Sequence, residues 1–498
     1  MRSTISHRRR TPLLGPLALF IIIGGCAVGP NFKRPADPQD AGYATAPLPD
    51  SLPASTGASG GEAQRFAQGS DVTGDWWTLF HSTQLNELIA QSLTGNPDLK
   101  AAQAALAVAR ENVLAQRGAY YPSVTGGFAA SRQRQSGQIA PTPNSNIFLY
   151  NLFTPEVTVA YVPDVFGLNR RTVESLSAQQ QEARFQMIAT YNTLIANVVV
   201  TAIQDSSLRL QIEATRELLD AESSTLKIVQ YQLSRGYASR LDVAAQEAQL
   251  AQMAATLPPL LKQQAQLRDL LAALVGRFPN QAPAEELQLT SLQLPEELPV
   301  SLPSALVAQR PDVRQAEANL HDASAKIGIA IANRLPNIQL TANAGSTALA
   351  LNQLFTEGTG FWSIGGAVTA PLFQGGTLLH QERAAKAAYV EAAEQYRSTV
   401  LSAFQNVADT LVALQQDAAG LQAASSAADA AKVTLDLAQE QWQRGYAGYL
   451  ALLSAQQSYQ QARIGLVQAQ AARYADTAAL FQALGGGWWH HADLSKEN

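Results

Sequence analysis

The sequence predicts an α+β membrane protein made from one unit used twice, in which long antiparallel helices alternate with two pairs of membrane-length β-strands. Three observations carry that expectation: an ordered internal repeat, helical runs free of proline and glycine, and four alternating segments behind an export signal. The repeat is plainest in RGYA, which occurs at 235–238 and again at 444–447. Leu241 and Gly276 recur at the same offset as Leu450 and Gly485, NPDLKAAQAAL from Asn96 matches RPDVRQAEANL from Arg310, YPSV from Tyr121 matches LPNI from Leu335, and Gly167 matches Gly375. Landmarks that keep their order and nearly their offset mark a fold-level duplication. The 498 residues therefore read as two similar halves, where length alone would suggest about three domains.

The amino terminus reads as an export signal. A basic stretch, RSTISHRRR, precedes an apolar run from Leu13 to Ile23, then Gly24, Gly25 and the sole cysteine, Cys26. The run is too short to span a bilayer, but it suits the h-region of a secretory signal with small residues before the cut. A cysteine in that place resembles a bacterial lipobox, in which the thiol is lipidated and becomes the mature terminus. Ala27 follows it, and not the aspartate that tends to retain enterobacterial lipoproteins at the inner membrane. Several acyl chains, at about 0.8 kcal/mol per buried CH₂, anchor a protein stably. Residues 1–25 are thus expected as signal peptide, and 26–75, rich in Pro, Gly, Ser and Ala, as a lipidated tether or surface wrap. The first repeat is expected over 76–295, the second over 296–488, and a solvated tail, including the WWHH sequence, over 489–498.

Within each repeat the helices come next. Asn96 before Pro97, and Pro311 in RPD, read as helix starts. From about Asn169 to Ser234 no proline or glycine intervenes, and Leu208, Ile212, Thr215, Leu219, Glu222, Leu226, Val229 and Leu233 form a heptad seam with two polar lapses. Val400, Phe404, Val407, Leu411, Leu414, Ala418 and Leu421 answer in the second half. Some 65 residues at 1.5 Å each give a helix of about 100 Å, longer than a compact soluble core needs. Each RGYA falls where a long helix ends and a shorter one begins, with Gly236 or Gly445 suited to the left-handed C′ position.

The strands begin at Tyr121, Thr154, Leu335 and Phe361. Val157, Val159 and Tyr161 alternate with Glu156, Thr158 and Ala160, and Ile338 and Leu340 alternate with Gln339 and Thr341. Each segment has the length of a tilted transmembrane strand, about 9–11 residues or slightly more. A soluble sandwich would alternate in the same way, but the export signal favours the membrane, and no mature segment reads as a transmembrane helix. Four strands are too few for a barrel, since the smallest have about eight, so a membrane-spanning sheet implies an oligomer. Val157, Val159, Tyr161, Ile338 and Leu340 would then face lipid, with Thr158, Gln339 and Asn343 facing the lumen.

Charged residues make up 15% of the chain, below the usual share of about 25%, and a net charge of −5 without basic blocks gives no reason to expect nucleic acid. No P-loop, G-x-S-x-G, H-E-x-x-H or cysteine cluster is present, so no enzyme and no metal are expected. The only expected prosthetic group is the covalent lipid on Cys26.

Together GCAVGPNFKRP from Gly25, WWTLF from Trp76, NPDLKAAQAAL, YYPSV from Tyr120, RGYASRLDV, RPDVRQAEANL, RGYAGYLALLSAQ and FQALGGGW resemble the TolC-like outer-membrane factors. The likeness is greatest to the lipoprotein, NodT-type branch serving resistance-nodulation-division efflux systems. The resemblance implies a homotrimer with a 12-stranded β-barrel in the outer membrane and an α-helical tunnel through the periplasm. It implies as partners outer-membrane lipid, a periplasmic adaptor protein and an inner-membrane resistance-nodulation-division transporter, with the chain acting as a passive exit duct for small toxic compounds. A type I protein-secretion channel of the same fold and a non-channel periplasmic coiled-coil lipoprotein are the alternatives. The tips Arg235, Gly236, Tyr237, Arg444, Gly445 and Tyr446 would contact the adaptor. Many family members carry acidic residues where this chain has Ala451 and Ser454, whereas Asp242 matches a family aspartate that holds neighbouring hairpins closed. A gate is therefore expected from Asp242 with Arg240, Arg444 or Tyr446, and from apolar packing of Tyr446, Tyr449 and Leu450. The competing reading is that Asp242 only caps the next helix.

Overall fold

Helix α1 (Thr83–Gly95) and helix α2 (Pro97–Arg117) meet where Asn96 turns the chain: its side-chain oxygen accepts from the amides of Asp98 and Leu99 at 2.9 and 3.0 Å, and Pro97 occupies the first helical position without wasting a donor. The computed structural model describes residues 27–36, 38, 42–43, 47–134, 149–282 and 287–495. Cys26 and the signal segment lie outside the described residues. The duplication is exact in the lengths of the four longest helices. Helices α3 (Leu168–Ser234) and α7 (Thr377–Gln443) each have 67 residues, and α4 (Arg240–Leu274) and α8 (Tyr449–Ala483) each have 35. Helices α5 (Pro303–Gln309) and α6 (Pro311–Ala332) repeat the α1–α2 arrangement, and a short α9 (Ala492–Ser495) closes the described chain.

The chain forms two compact units that cut across the repeats. One comprises Val108–Gln180 and Ala318–Ala393 with the described residues up to Arg34; the other comprises Pro35–Ala107, Gln181–Glu317 and the chain from Glu394 onward. The first unit holds a four-stranded antiparallel sheet taken equally from both repeats. Its order is β2 (Ser123–Arg134), β3 (Leu149–Tyr161), β5 (Asn337–Ser346) and β6 (Gly360–Thr369).

The second unit holds the main apolar core. Trp76 of WWTLF stacks on Phe481 of FQALGGGW at 5.2 Å and meets Trp77 and Phe80 edge-on, so motifs from the two ends of the chain close on each other. Of the expected seams, Val407, Leu411, Leu414, Ala418 and Leu421 on α7 and Ile212 and Val229 on α3 are almost wholly inaccessible, whereas Leu208, Leu219, Leu226, Leu233, Val400 and Phe404 are half-buried. The two polar lapses, Thr215 and Glu222, are as buried as their neighbours. Thr215 returns its hydroxyl to the Gln211 carbonyl, and Gln246 of α4 donates to both the backbone oxygen and the carboxylate of Glu222. Each polar group is thereby paired, which removes most of the cost of burying it.

Three expectations change. Helix α3 does contain a stretch long and apolar enough to cross a bilayer, but Ile188, Ile195, Val198, Val199 and Ile203 owe that character to burial in the second unit's core. Of the two readings for 26–75, the described residues 47–75 form a wrap. They contain β1 (Arg65–Gln68), which pairs in parallel with β4 (Glu297–Val300), a strand pair the sequence did not suggest. Arg473, fully buried, donates to the carbonyl oxygens of Glu62 and Pro53 and fixes the wrap. The expected solvated tail is also packed. Trp489 and His490 both reach Asp71, and Arg184 donates to the carbonyls of Leu494 and Ser495.

Candidate functional site

In an antiparallel sheet, directly opposed residues share a face, so the register decides what each face presents. The pairing aligns Val124, Val159, Ala342 and Ile364 in one row and Gly126, Val157, Ala344 and Trp362 in another. The alternate row between them is Thr125, Thr158, Asn343 and Ser363. Through the middle of the sheet one face is thus apolar and the other largely polar, with Val157, Val159, Tyr161, Ile338 and Leu340 on the first and Thr158, Gln339 and Asn343 on the second, as the alternation implied; Arg132, Arg134 and Asn151 join the first face only toward the β2–β3 end. A one-residue slip in any ladder would mix the two faces, so the pattern itself holds the register. Trp362, Phe128 and Phe153 also fall on the apolar face, where aromatic rings suit a membrane interface. Among the described residues, β2 and β6 pair on one side only, which leaves both edges of the sheet open.

At the hairpin ends the local chemistry dictates the turn. Gly236 and Gly445 take φ of 80° and 76°, the left-handed region that costs a side-chain-bearing residue about 1 kcal/mol or more. The amides of Tyr237 and Tyr446 reach back to the carbonyls of Gln232 and Gln441, the wide hydrogen bond of a Schellman turn. Both tyrosines project outward, 85% and 82% exposed, with Leu241 and Leu450 beside them at 76% and 71%. Arg235 lies over the ring of Tyr231 at 5.2 Å, whereas Arg444, at the matching place, pairs with Glu440. Each tip therefore offers an outward tyrosine and leucine next to an arginine.

The sequence matches a known family along most of its length. Residues 88–277 and 302–486 match the family described as Outer membrane efflux protein, one stretch in each repeat. The chain belongs to the outer membrane efflux protein family. It is 30% identical over 483 residues to the probable efflux pump outer membrane protein SepC and to the toluene efflux pump outer membrane protein TtgF, both of Pseudomonas putida, covering 95% of this chain and 96% of each relative. The solved outer-membrane channel OprN superposes with a TM-score of 0.82 at 26% identity, over 93% of this chain and 100% of that one. The duplicated fold of four strands and long helical hairpins is thus that of an outer-membrane efflux channel, and the protein is not an enzyme.

Within this family fold the expected gate residues separate. Asp242 accepts from the Ser239 amide at 2.8 Å and from the Ser239 hydroxyl at 2.7 Å, while the Asp242 amide donates to that hydroxyl, which completes a capping box at the start of α4. Among the described residues no ion pair joins Asp242 to Arg240 or Arg444, and Arg240 is exposed. Tyr449, expected at the mouth, is instead a buried residue of its own chain, edge-on to Trp442 at 6.2 Å and clustered with Val229 and Leu452. The aromatic ring folds back because Trp442 precedes the turn and offers it a partner. Burial, followed by the charges of Glu222 and Asp242, pushes the Tyr449 hydroxyl well above the usual tyrosine range. Tyr446 and Leu450 remain outward. Arg171 and Arg473, two buried cations that bind the amino-terminal segment, had no expected role at all.

Proposed function

We propose that three copies of this chain close a twelve-stranded barrel in the outer membrane, and that their long helices continue as a tunnel through the periplasm. In this reading the tips meet a periplasmic adaptor coupled to an inner-membrane resistance-nodulation-division transporter, and the duct passively conducts small toxic compounds outward. Residue 26 carries the acyl anchor. The observation that carries the reading is the four-stranded sheet with one apolar face, one polar face and two open edges. Unpaired backbone groups in hydrocarbon cost several kcal/mol each, so such a sheet cannot enter a bilayer alone. Joining β6 of one copy to β2 of the next satisfies both edges, turns the apolar face to lipid and encloses the polar one. Two like hairpins per copy then give three copies a near-sixfold ring at the tips. The toluene named for one relative supports a cargo of small apolar molecules.

The test is reconstitution of the purified protein into planar bilayers, together with gel migration before and after boiling. A heat-modifiable trimer with discrete conductance steps is expected. A chain that stays monomeric and conducts nothing would replace the channel with the coiled-coil spacer.

A further inference from the structure

The chain just beyond residue 26 is held in the first unit by a buried cation. Arg171, on the first turn of α3 with its side chain 4% exposed, donates from Nε to the Val28 carbonyl at 3.0 Å and from Nη2 to the Gly29 carbonyl and the Asn31 side chain at 3.1 and 2.9 Å. Its remaining nitrogen, Nη1, bonds Glu174 at 2.7 Å. Glu174 passes its other oxygen to His321 of α6 at 3.0 Å, and the His321 ring stacks on Phe32 at 4.3 Å with planes 12° apart. The Val28 amide donates to the Phe166 carbonyl.

Backbone fit completes the seat. A Cβ on Gly29 would stand 2.5 Å from the Gly328 Cα, one on Gly328 would meet the Arg171 side chain at 2.8 Å, and one on Gly167 would meet Ala27 at 2.6 Å. Contacts that close between three glycines leave one path for the segment.

The second repeat lacks this equipment. His380, which is exposed, stands at the position matching Arg171, and Leu114 of the first repeat at the position matching Gly328. A chain has one amino-terminal segment and two pseudo-equivalent junctions, and the buried arginine and its facing glycine occur at one of them. That difference is what a seat dedicated to the segment requires, since a core arginine serving the helices alone would have a counterpart.

We propose that Arg171, Glu174, His321 and the Gly29–Gly328 contact form a docking site for residues 27–32. The site fixes where an acyl group on the preceding residue enters the bilayer, at the foot of β3 where Gly167 starts α3. The inference rests on the lipid-anchor part of the proposed function. Arg171 is a positioning residue: it sets the place of the anchor and takes no part in acylation.

Hydrogen exchange on the purified full-length protein tests it. Arg171→Leu is expected to speed exchange of the 28–34 amides at least about tenfold, the loss of several charge-assisted bonds, while α4 and α8 keep their protection. Gly29→Ala attacks the same seat from the segment side, leaves the helices intact, and is expected to do likewise. Acyl labelling should persist in both variants, and protection of 28–34 should persist in Cys26→Ser. Segment protection unchanged in both Arg171→Leu and Gly29→Ala would overturn the docking site. Loss of acyl labelling in neither the variants nor Cys26→Ser would overturn the anchor alone.

Discussion

Placing arginine at Val157 tests the sidedness of the sheet most directly. Val157 stands in the row of Gly126, Ala344 and Trp362, two residues from the centre of the 13-residue β3. At about 3.3 Å per residue and a tilt of about 40°, that is roughly 5 Å along the membrane normal. The apolar band of such barrels is about 25 Å tall, so the position lies well inside it. Arginine there should cost about 2–4 kcal/mol, against about 0–1 kcal/mol near an interface. Thr158, the next residue, lies in the row of Thr125, Asn343 and Ser363, and Thr158→Arg should leave stability nearly unchanged because its side chain enters water. The assay is urea unfolding from lipid vesicles, read by the gel shift of the folded protein. A Thr158→Arg midpoint as low as or lower than that of Val157→Arg would refute the assignment of faces.

Two further expectations concern the helices. Asp242→Ala should remove the carboxylate half of the Ser239 capping box, cost about 0.3–1 kcal/mol, and lower the melting temperature while single-channel conductance stays at the wild-type value; a conductance increase would restore Asp242 as a gate contact. Burial raises the Glu222 pKa above its ordinary value near 4.5, with the Gln246 bond opposing it, so the native chain binds this proton more tightly than the unfolded one. Its contribution is then fully present below the ordinary glutamate pKa and is lost as pH rises through the raised folded value. Glu222→Gln should therefore flatten the fall in stability across that window when urea midpoints are compared from pH 4 to 7, and superimposable curves for the two proteins would disprove the assignment.

What the sequence disclosed and what it hid follow from the range of the forces involved. Helix seams, turn glycines and strand alternation are local patterns, each imposed by a backbone period or a single φ, and Val407, Gly445 and Val159 could be placed from neighbours a few residues away. The β1–β4 pair could not, because RFAQ and ELPV are four residues long, lie far apart and carry no alternation that marks a strand. Arg171 and Arg473 read as ordinary solvated helix charges, since what buries them arrives from the amino-terminal segment. Gly328 was a legible signal left unused. A glycine inside a helix costs about 0.5–1 kcal/mol relative to alanine, and in AKIGIA it marks the close approach of Gly29.

Duplication also makes the two halves controls for each other. Both long helices have 67 residues and both return helices 35, so differences at matched positions stand out against a common scaffold. Ser239 and Asp242 cap α4, while the matching Gly448 and Ala451 leave α8 without a side-chain cap. With glycine at the N-cap the missing side-chain bond is worth only a few tenths of a kcal/mol. The two tips therefore share a turn but not a stability, and the start of α8 is the one that opens at lower cost. A duct whose hairpins must separate to admit cargo would then yield first at the second repeat, next to the outward Tyr446 and Leu450. The asymmetry that weakens this tip is the same kind that gives a buried Arg171 to one junction and an exposed His380 to the other: the repeat builds the wall, and departures from it assign each half its task.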